Sequence, residues 1–390
     1  MLFTLEALQA DHGDSLLLHY GDEDDPRLIL IDAGPPGAWK KSVKPRLLQL
    51  RGEETTGPTI DLLMISHIDD DHVGGVLGLT REMVKAHEEG DEAPYEVLEL
   101  WHNAFEDLLD DDAAAATIAT VTSSPSAAAR DSSVLAAALP TVGPGGAVVA
   151  SVNQGRRLRD DAKKLGIGVN LDFSGLVRRT DPETVRSDAG LDLRVLGPTE
   201  SRLEDLRRKW DSVAVKKSSA TAASWLKLVA DFVDQSVFNL SSLVVLAEAA
   251  GGTMLLTGDA RGDDILDGLR EADLLEDGTL HVDLFKVPHH GSDRNVSTDF
   301  FRRVTADHYV ISANGRDDNP DRPMLKMLSD ARGDDEYTVV LTNEVDHAQR
   351  FYKRDQPKHE YEVRVREEGM PSILLDLGEP LPSPLEPGEL

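Results

Sequence analysis

The stretch Ser66–Gly75, with the sequence SHIDDDHVGG, decides the expected fold and chemistry of this chain. Within six residues it places four side chains that can bind divalent cations, namely His67, Asp69, Asp71 and His72. The apolar run before it predicts a buried strand, and the spacing after it predicts a helix. Carboxylates at a helix start are also common without a metal, because the helix dipole favours them, but that interpretation leaves the two histidines unexplained. We therefore expect a metal-binding loop.

Strand and helix signals extend from this loop in both directions and predict a layered α/β protein. Their alternation is lost in the middle of the chain, where Ala/Thr/Ser-rich and charged segments predict helices and a flexible connector at 216–224. The predicted strands are 16–20, 27–32, 61–66, 97–101, 242–247, 253–257, 280–287, 309–312 and 337–342, and the predicted helices include 73–85, 113–129 and 203–210.

The chemical motifs lie towards both ends of the chain, which favours a single domain with insertions over two independent domains. We predict a hydrolase domain over residues 1–375 with a helical insertion around 104–235. Residues 376–390 are acidic and proline-rich, and we expect them to form a loose tail.

Two further motifs carry groups that suit the same cations. Asp259 ends an apolar strand, LLTGD, where a carboxylate could bridge two metals, although a Gly-Asp turn after a strand is also common. His289 and His290 follow another strand in LFKVPHHGS, and we expect one to be a ligand and the other to contact ligand or substrate. A hydrogen-bonded structural pair is the alternative. Asp32 ends the strand RLILID, where it could orient a ligand histidine or merely form a turn.

Together these motifs resemble those of the metallo-β-lactamase superfamily. The resemblance is greatest to the hydrolase domain of ComEC-type DNA-uptake proteins and its stand-alone relatives, and it covers residues 2 to about 345. It implies a four-layer αββα sandwich with the site along one edge of the two sheets. The matching motifs are 13–15, 32–34, 66–75, 239–242, 257–259, 287–292 and 312–321.

Three departures from the superfamily pattern bear on the site. Asp69 stands where the superfamily motif has a second histidine, a change that ComEC-like relatives share. A separate superfamily histidine has no clear match, and His102 is the one nearby candidate. Asn319 stands in the late loop where relatives often have histidine, which puts substrate class and full activity in question.

The expected function is that of a binuclear metal hydrolase, most of all a phosphodiesterase or nuclease that uses a metal-bridging hydroxide. Asp71 is expected to act in catalysis, and His290 or Ser292 to orient substrate or protonate the leaving group. The mixed oxygen and nitrogen ligands suit either zinc or manganese. His67 and Asp69 are expected to bind one cation and Asp71, His72 and His289 the other, with Asp259 between them.

The net charge and the absence of cysteine exclude several classes of protein and of metal site. The chain has 41 basic and 71 acidic residues, which gives a formal net charge of −30. This charge argues against a protein that coats long nucleic acid or an anionic membrane. Long DNA would stay possible as a substrate only if a local basic strip, such as Arg156–Arg159 or Arg207–Lys209, lined its path to the site. It has no cysteine, so thiolate metal sites, disulfides and a cysteine nucleophile are excluded. No secretory signal or membrane span is evident in the sequence, and we expect a cytoplasmic protein.

Two other functions stay open at this point. One is hydrolysis of a small ester, lactone or nucleotide, which would need a narrow pocket and no basic strip. The other is a catalytically weakened sensor or partner-binding module that keeps the metal loop for structure, which the change at Asn319 favours slightly. Metal content and turnover of a substrate panel separate these possibilities.

Overall fold

The structure is a computed structural model that describes residues 1–51, 58–104, 107–108, 145–179, 184–214 and 241–381. The predicted helix at 113–129 and the predicted connector at 216–224 lie outside these ranges, as does most of the predicted tail.

The strands alternate with helices along much of the described chain. The strands are β1 Leu2–Leu8, β2 Leu16–Asp22, β3 Asp25–Ile31, β4 Thr59–Met64, β5 Glu96–Trp101, β6 Gly168–Val169, β7 Thr184–Arg186, β8 Asp192–Gly197, β9 Val244–Ala249, β10 Gly252–Leu256, β11 Leu280–Lys286, β12 Val304–Ile311, β13 Tyr337–Leu341, β14 Tyr361–Val365 and β15 Ser372–Asp376.

The helices are α1 Pro36–Ala38, α2 Lys44–Arg51, α3 Asp70–Val73, α4 Val76–Glu89, α5 Gly145–Leu165, α6 Glu200–Ala214, α7 Gly262–Glu271, α8 Thr298–Arg303, α9 Arg322–Arg332 and α10 Asp346–Asp355. A π-helical turn, Trp39–Val43, joins α1 to α2. Short 3₁₀ turns occur at His289–Gly291, Arg316–Asp318 and Gln356–Lys358. None of the described helices is long and apolar enough to cross a membrane.

Two mixed sheets face each other. The described strands of the first sheet lie in the order β15-β1-β2-β3-β4-β5-β6, and those of the second in the order β14-β13-β12-β11-β10-β9-β8-β7. One apolar cluster fills the space between the sheets, with Leu5 and Ile31 from the first and Leu256 and Leu284 from the second. Each sheet buries its other face under helices, which confirms the predicted four-layer αββα sandwich.

All nine predicted strands have counterparts in the structure, with ends shifted by a few residues. The prediction missed β1, because its sequence LFTLEAL contains a glutamate, a residue type that usually faces solvent. Glu6 is in fact fully buried and is held by Arg46 and His19. It also missed the short strands β6 and β7 and the strands β8, β14 and β15.

The helix after the metal loop is broken in two at Gly74–Gly75. A Cβ atom on Gly75 would lie 2.0 Å from the carbonyl oxygen of Ala33, so the chain can pass at this distance only with glycine. The backbone is fixed there by hydrogen bonds from Gly75 N to Gly34 O, at 2.7 Å, and from Ala33 N to His72 O, at 2.9 Å. The two glycines thus hold the metal loop against the loop after β3.

The described part of the predicted insertion contains both helices and strands. α5 packs against α3 and α4, β6 forms the edge of the first sheet, and β8 and the edge strand β7 extend the second sheet. At the other end of the chain, β15 pairs with β1 as far as Asp376, and the backbone of Leu377 donates a hydrogen bond to Phe3. The domain boundaries themselves stay a prediction.

Candidate metal centre

The metal loop leaves the C-terminal end of β4 and turns its side chains towards the second sheet. The side chains of His67 and His72 are fully buried, whereas those of Asp69 and Asp71 are 34% and 25% exposed. Asp70, between them, is exposed at the residue level and bonds Gln154 of α5. The two outer aspartates therefore share a cleft with the histidines, and the middle one points elsewhere.

Asp32 holds His72 from behind. Its Oδ2 lies 2.8 Å from Nδ1 of His72, and both oxygens accept hydrogen bonds from Ser66, from the backbone N at 2.9 Å and from Oγ at 2.5 Å. With a proton on Nδ1, the lone pair of Nε2 faces the cleft. The structure thus places Asp32 where the sequence suggested, behind a candidate ligand histidine.

Asp259 lies at the centre of the cleft, after β10. Its Oδ1 is 3.3 Å from Nε2 of His72 and 3.8 Å from Nε2 of His290, and its Oδ2 is 3.6 Å from Nε2 of both His67 and His289. Each carboxylate oxygen therefore faces two imidazole nitrogens. This is the arrangement that a carboxylate bridging two cations requires.

The two adjacent histidines enter the cleft from a strained turn. His289 and His290 have φ angles of 50° and 54°, a left-handed conformation that is uncommon for residues other than glycine. Nδ1 of His289 lies 2.8 Å from Oδ1 of Asn295, and Nδ1 of His290 lies 3.0 Å from the carbonyl oxygen of Ser312. Strain of this kind is typical of functional sites, where the surroundings hold it in place.

The pairing of the histidines with the aspartates differs from the expected one. We expected His289 beside Asp71 and His72, but it lies against the Asp259 oxygen that also faces His67. His290 occupies the expected place instead, with Nε2 3.5 Å from Asp71 Oδ2. The backbone turn explains the difference, since it directs both rings into one cleft.

Two residues of the site were missed from sequence. Asp14 and Lys286 form a buried ion pair, with Nζ 2.7 Å from Oδ2, and the other oxygen of Asp14 lies 3.3 Å from Nδ1 of His290. Ligand-type atoms of Asp14, His72, Asp259 and His290 all lie within 4.8 Å of one another. The sequence matched Asp14 to an early loop without assigning it a role. The sequence did contain one indication of a buried ion pair, because Lys286 is the one charged residue in the apolar run LFKVP.

The other sequence candidates lie outside this set of contacts. His102 is buried, its Nε2 lies 3.2 Å from the carbonyl oxygen of Gly155, and burial lowers its pKa to about 4. Asn319 bonds neighbouring residues of the late loop through its backbone. Ser292 is buried, and its backbone N donates to the carbonyl oxygen of His289.

The electrostatics of the cleft favour positive charge. Burial alone would lower the pKa of His290, but the negative charges of Asp259 and Asp14 raise it to about 10. Burial opposes a charge on His72 as well, yet Asp259 and Asp32 raise its pKa well above the ordinary value. The pKa of Asp259 is held well below its ordinary value, because the surrounding histidines outweigh the effect of burial.

The residues fit the binding of divalent cations. Nε2 of His67, His72 and His290 and Oδ1 of Asp259 are buried and have no hydrogen-bond partner. Buried polar atoms without partners are rare in proteins and call for a ligand. Cations that replaced the histidine protons would meet five carboxylates and one ammonium, which together carry four negative charges, and two divalent cations would cancel that charge. The charged groups are Asp14, Asp32, Asp69, Asp71, Asp259 and Lys286.

The predicted basic strips are largely used within the chain. Arg157 and Arg159 of α5 pair with Asp161 and Asp107, at 3.9 and 3.4 Å. Arg207 and Arg208 of α6 bond Glu200 and Asp205. Each of these four arginines thus has a carboxylate neighbour that offsets its positive charge.

Arg316 contacts His12, in the loop that packs against the metal loop. The Arg316 side chain is 59% exposed, and its Nη1 lies 2.7 Å from Nε2 of His12. Burial and the charge of Arg316 lower the pKa of His12, and the negative charge of Asp71 opposes them. Gly13, which follows His12 in the chain, packs directly against the backbone of Asp71. His12 and Gly13 therefore connect Arg316 to the metal loop at Asp71.

Comparison with known proteins gives one match to a family model. Residues 12–156 match the family model of the metallo-beta-lactamase superfamily. A search of curated protein sequences finds no match. Among solved structures, the chain is similar to the metallo-beta-lactamase fold protein YhfI from Bacillus subtilis, with 8% sequence identity, a TM-score of 0.36, and coverage of 95% of this chain and 99% of that one. It is also similar to Zn²⁺-bound PqqB from Methylobacterium extorquens, with 12% identity, a TM-score of 0.39, and coverage of 94% and 88%.

The matched segment contains the metal loop and Asp32, and the two facing sheets with their outer helices complete the sandwich. Proteins of this superfamily are typically metal-dependent hydrolases, and the cluster at Asp259 is a candidate metal site. The chain therefore has the metallo-β-lactamase superfamily fold.

Proposed function

We propose that the protein is a binuclear metal-dependent phosphodiesterase. The main support is the environment of Asp259, each of whose carboxylate oxygens faces two buried histidine nitrogens. We further propose that the chain is ComEC-like, because Asp69 replaces a histidine of the superfamily motif and HHGS stands at 289–292.

The geometry suggests how the ligands divide. Oδ2 of Asp259 faces His67 and His289, and Asp69 lies beside His67. Oδ1 faces His72 and His290, and Asp71 lies beside both of these histidines. We therefore propose His290 as a ligand, in place of the proton-donor role expected from sequence. Histidine with carboxylate suits both zinc and manganese.

The exposure of the ligands defines the side from which a substrate approaches. His67, His72, Asp259 and His290 are at most 4% exposed, while Asp69, Asp71 and His289 are between a quarter and a third exposed. When bound, two divalent cations would activate water and neutralise charge on the transferred group. On the chain itself, the partly exposed carboxylate of Asp71 can accept a proton from water in the cleft.

The surroundings of the cleft favour a small anionic substrate over long nucleic acid. Arg316 provides one guanidinium at the edge of the cleft, which suits a phosphate oxygen. The arginines of α5 and α6 pair with carboxylates, and the chain carries a formal charge of −30. A phosphodiester of nucleotide size is therefore the proposed substrate class.

Three consecutive aspartates allow a matched test. Asp69→Asn and Asp71→Asn are expected to lower turnover of bis(p-nitrophenyl) phosphate, measured with zinc and with manganese, by about 100-fold or more. Asp70→Asn makes the same change one residue away and should keep the wild-type rate, because Asp70 bonds Gln154 outside the cleft. Equal rates in all four proteins would contradict the proposal. Turnover of lactones alone would favour the small-ester alternative, and full cation content without turnover would favour the sensor.

A further inference from the structure

Lys286 is a buried lysine directly behind the candidate metal centre. It is 1% exposed, and its Nζ lies 2.7 Å from Oδ2 of Asp14, itself 2% exposed, and 3.0 Å from the carbonyl oxygen of Val287. Taking an ammonium and a carboxylate out of water is costly, and an apolar pair of similar volume is often as stable. The pair therefore calls for an explanation other than stability.

Asp14 connects this ion pair to His290. The Asp14 oxygen that Lys286 does not hold lies 3.3 Å from Nδ1 of His290, and the carbonyl oxygen of Ser312 lies 3.0 Å from the same nitrogen. The carbonyl oxygen of Ser312 accepts a hydrogen bond from Nδ1, and the negative charge of Asp14 beside Nδ1 favours the ring proton at the same nitrogen. The lone pair of Nε2 is then directed at the cleft, where Nε2 lies 3.5 Å from Asp71 and 3.8 Å from Asp259.

Ser312 contacts both His290 and the residue before Asp14. Ser312 accepts from His290 through its carbonyl, while its hydroxyl donates to the carbonyl oxygen of Gly13 at 2.7 Å. Ser312 and Asp14, which both lie against Nδ1 of His290, are thus joined through Gly13, the residue that precedes Asp14. Lys286 completes the arrangement, because it holds the other oxygen of Asp14 and so fixes the rotation of that carboxylate.

We propose that Lys286, acting through Asp14, is a positioning residue that fixes the tautomer and orientation of His290 for cation binding. Asp32 does the same for His72 from the first sheet, so each of the two histidines beside Oδ1 of Asp259 has its own carboxylate behind it. The inference rests on the cation site of the proposed function and is independent of the proposed substrate.

The test measures zinc affinity by competition with a chromophoric chelator, and the visible absorption spectrum of the cobalt-loaded protein. Lys286→Met and Asp14→Asn are each expected to weaken binding of one of two cations by about 10–100-fold and to change the cobalt spectrum. Lys286→Arg, which keeps the charge, should recover part of the affinity. The double variant Asp14→Asn/Lys286→Met removes both charges together, so it remains informative if a single variant does not fold.

A matched control comes from another buried ion pair. Arg46 is 4% exposed, and its Nε lies 2.6 Å from Oε1 of Glu6, away from the cleft. Arg46→Met should lower thermal stability and leave zinc affinity and the cobalt spectrum unchanged. A change in Lys286→Met alone would then reflect the cation site and not the general loss of a buried charge.

The double variant separates positioning from simple charge compensation. If Asp14 positions His290, the double variant loses as much affinity as the single variants, because both act through one contact. Wild-type affinity in the double variant, or wild-type affinity and spectrum in Lys286→Met, would overturn the proposal. Absence of phosphodiester turnover in the wild-type protein, together with the expected affinity losses, would contradict the proposed substrate and support the positioning role.

Discussion

His72 illustrates how single residues define the candidate site. Its ring lies between Asp32 at Nδ1 and Asp259 at Nε2, at 2.8 and 3.3 Å, with no exposed surface. A carboxylate behind a ligand histidine fixes the ring and raises the basicity of the nitrogen that faces the metal. Asp32 should therefore affect cation binding without touching a cation.

Replacing this carboxylate gives the first residue-level prediction. Asp32→Asn keeps the volume but removes the charge behind His72, so zinc affinity should fall by about 10–100-fold in chelator competition. Asp283→Asn is the matched control, because Asp283 accepts hydrogen bonds from Thr253 and lies in strand β11 away from the cleft. Unchanged zinc affinity in Asp32→Asn would contradict the assigned role.

Arg316 gives a second prediction at this scale. If its guanidinium meets the substrate, Arg316→Ala should raise KM for an anionic phosphodiester by about tenfold and change kcat much less, because ground-state and transition-state binding are lost alike. Arg270→Ala serves as control, since Arg270 is equally exposed at 58% and pairs with Asp267 on α7. A wild-type KM in Arg316→Ala would exclude this contact.

Sequence identified most of the individual site residues and left part of their arrangement undetermined. His67, Asp69, Asp71 and His72 could be predicted because one short loop holds them together. The pairing of His289 could not, since it depends on two successive left-handed φ angles that no local pattern encodes. Partners far apart in sequence, such as Asp14 and Lys286, meet only through the packing of the two sheets.

At the scale of elements, the break between α3 and α4 fixes the metal loop. Gly75→Ala would place a methyl group 2.0 Å from the carbonyl oxygen of Ala33, which forces the loop or the helix to shift. We expect a loss of unfolding free energy of about 1–3 kcal/mol in chemical denaturation, together with weaker cation binding. Gly37→Ala is the control, because its nearest neighbours are 4.0 Å away, and it should not destabilise the protein. Equal stability of both variants would contradict the close packing.

The elements that sequence missed share a physical reason. Alternation of apolar and polar residues predicts a strand with one wet face, but Glu6 of β1 is fully buried and is neutralised by Arg46 from α2. A buried strand is therefore difficult to predict when it contains a charged residue whose partner lies far away in the sequence. The edge strands β6 and β7 have only two and three residues, too few for any periodicity to show.

At the scale of the whole molecule, Glu6 connects both ends of the chain. It bonds Arg46 of α2, His19 of β2 and Ser372 of β15. Burial alone would raise its pKa, but hydrogen bonds and charges from His19 and Arg46 lower it to about 2. Because the pKa is lower in the folded state, this carboxylate stabilises the fold above pH 4.5, and the contribution is lost as the pH falls towards 2.

Glu6→Gln tests that linkage. Relative to the wild type it should lose about 3 kcal/mol of unfolding free energy at pH 7, and the difference should shrink between pH 4.5 and 2. Urea denaturation at several pH values measures both quantities, and the subtraction removes contributions from the other acidic groups. If the difference in unfolding free energy stayed constant with pH, His19 and Arg46 would not lower the pKa of Glu6 in the folded protein.

The alternation of strand and helix signals predicted a layered α/β protein, and the four-layer sandwich was predicted through the resemblance of the chemical motifs to those of the metallo-β-lactamase superfamily. The segment between β5 and β8 could not be predicted, since its composition indicates helices, while the described part also contains edge strands. The substrate depends on a few exposed groups around the cleft, which composition does not reveal.

The number of divalent cations bound per chain tests the central claim most directly. Purified protein dialysed against zinc or manganese and analysed by inductively coupled plasma mass spectrometry should contain about two cations per chain. Asp259→Asn should lose at least one of them while keeping its fold, because both carboxylate oxygens face the histidine pairs. A wild-type protein with no bound cation, or an Asp259→Asn variant that keeps two with unchanged affinity, would contradict the account.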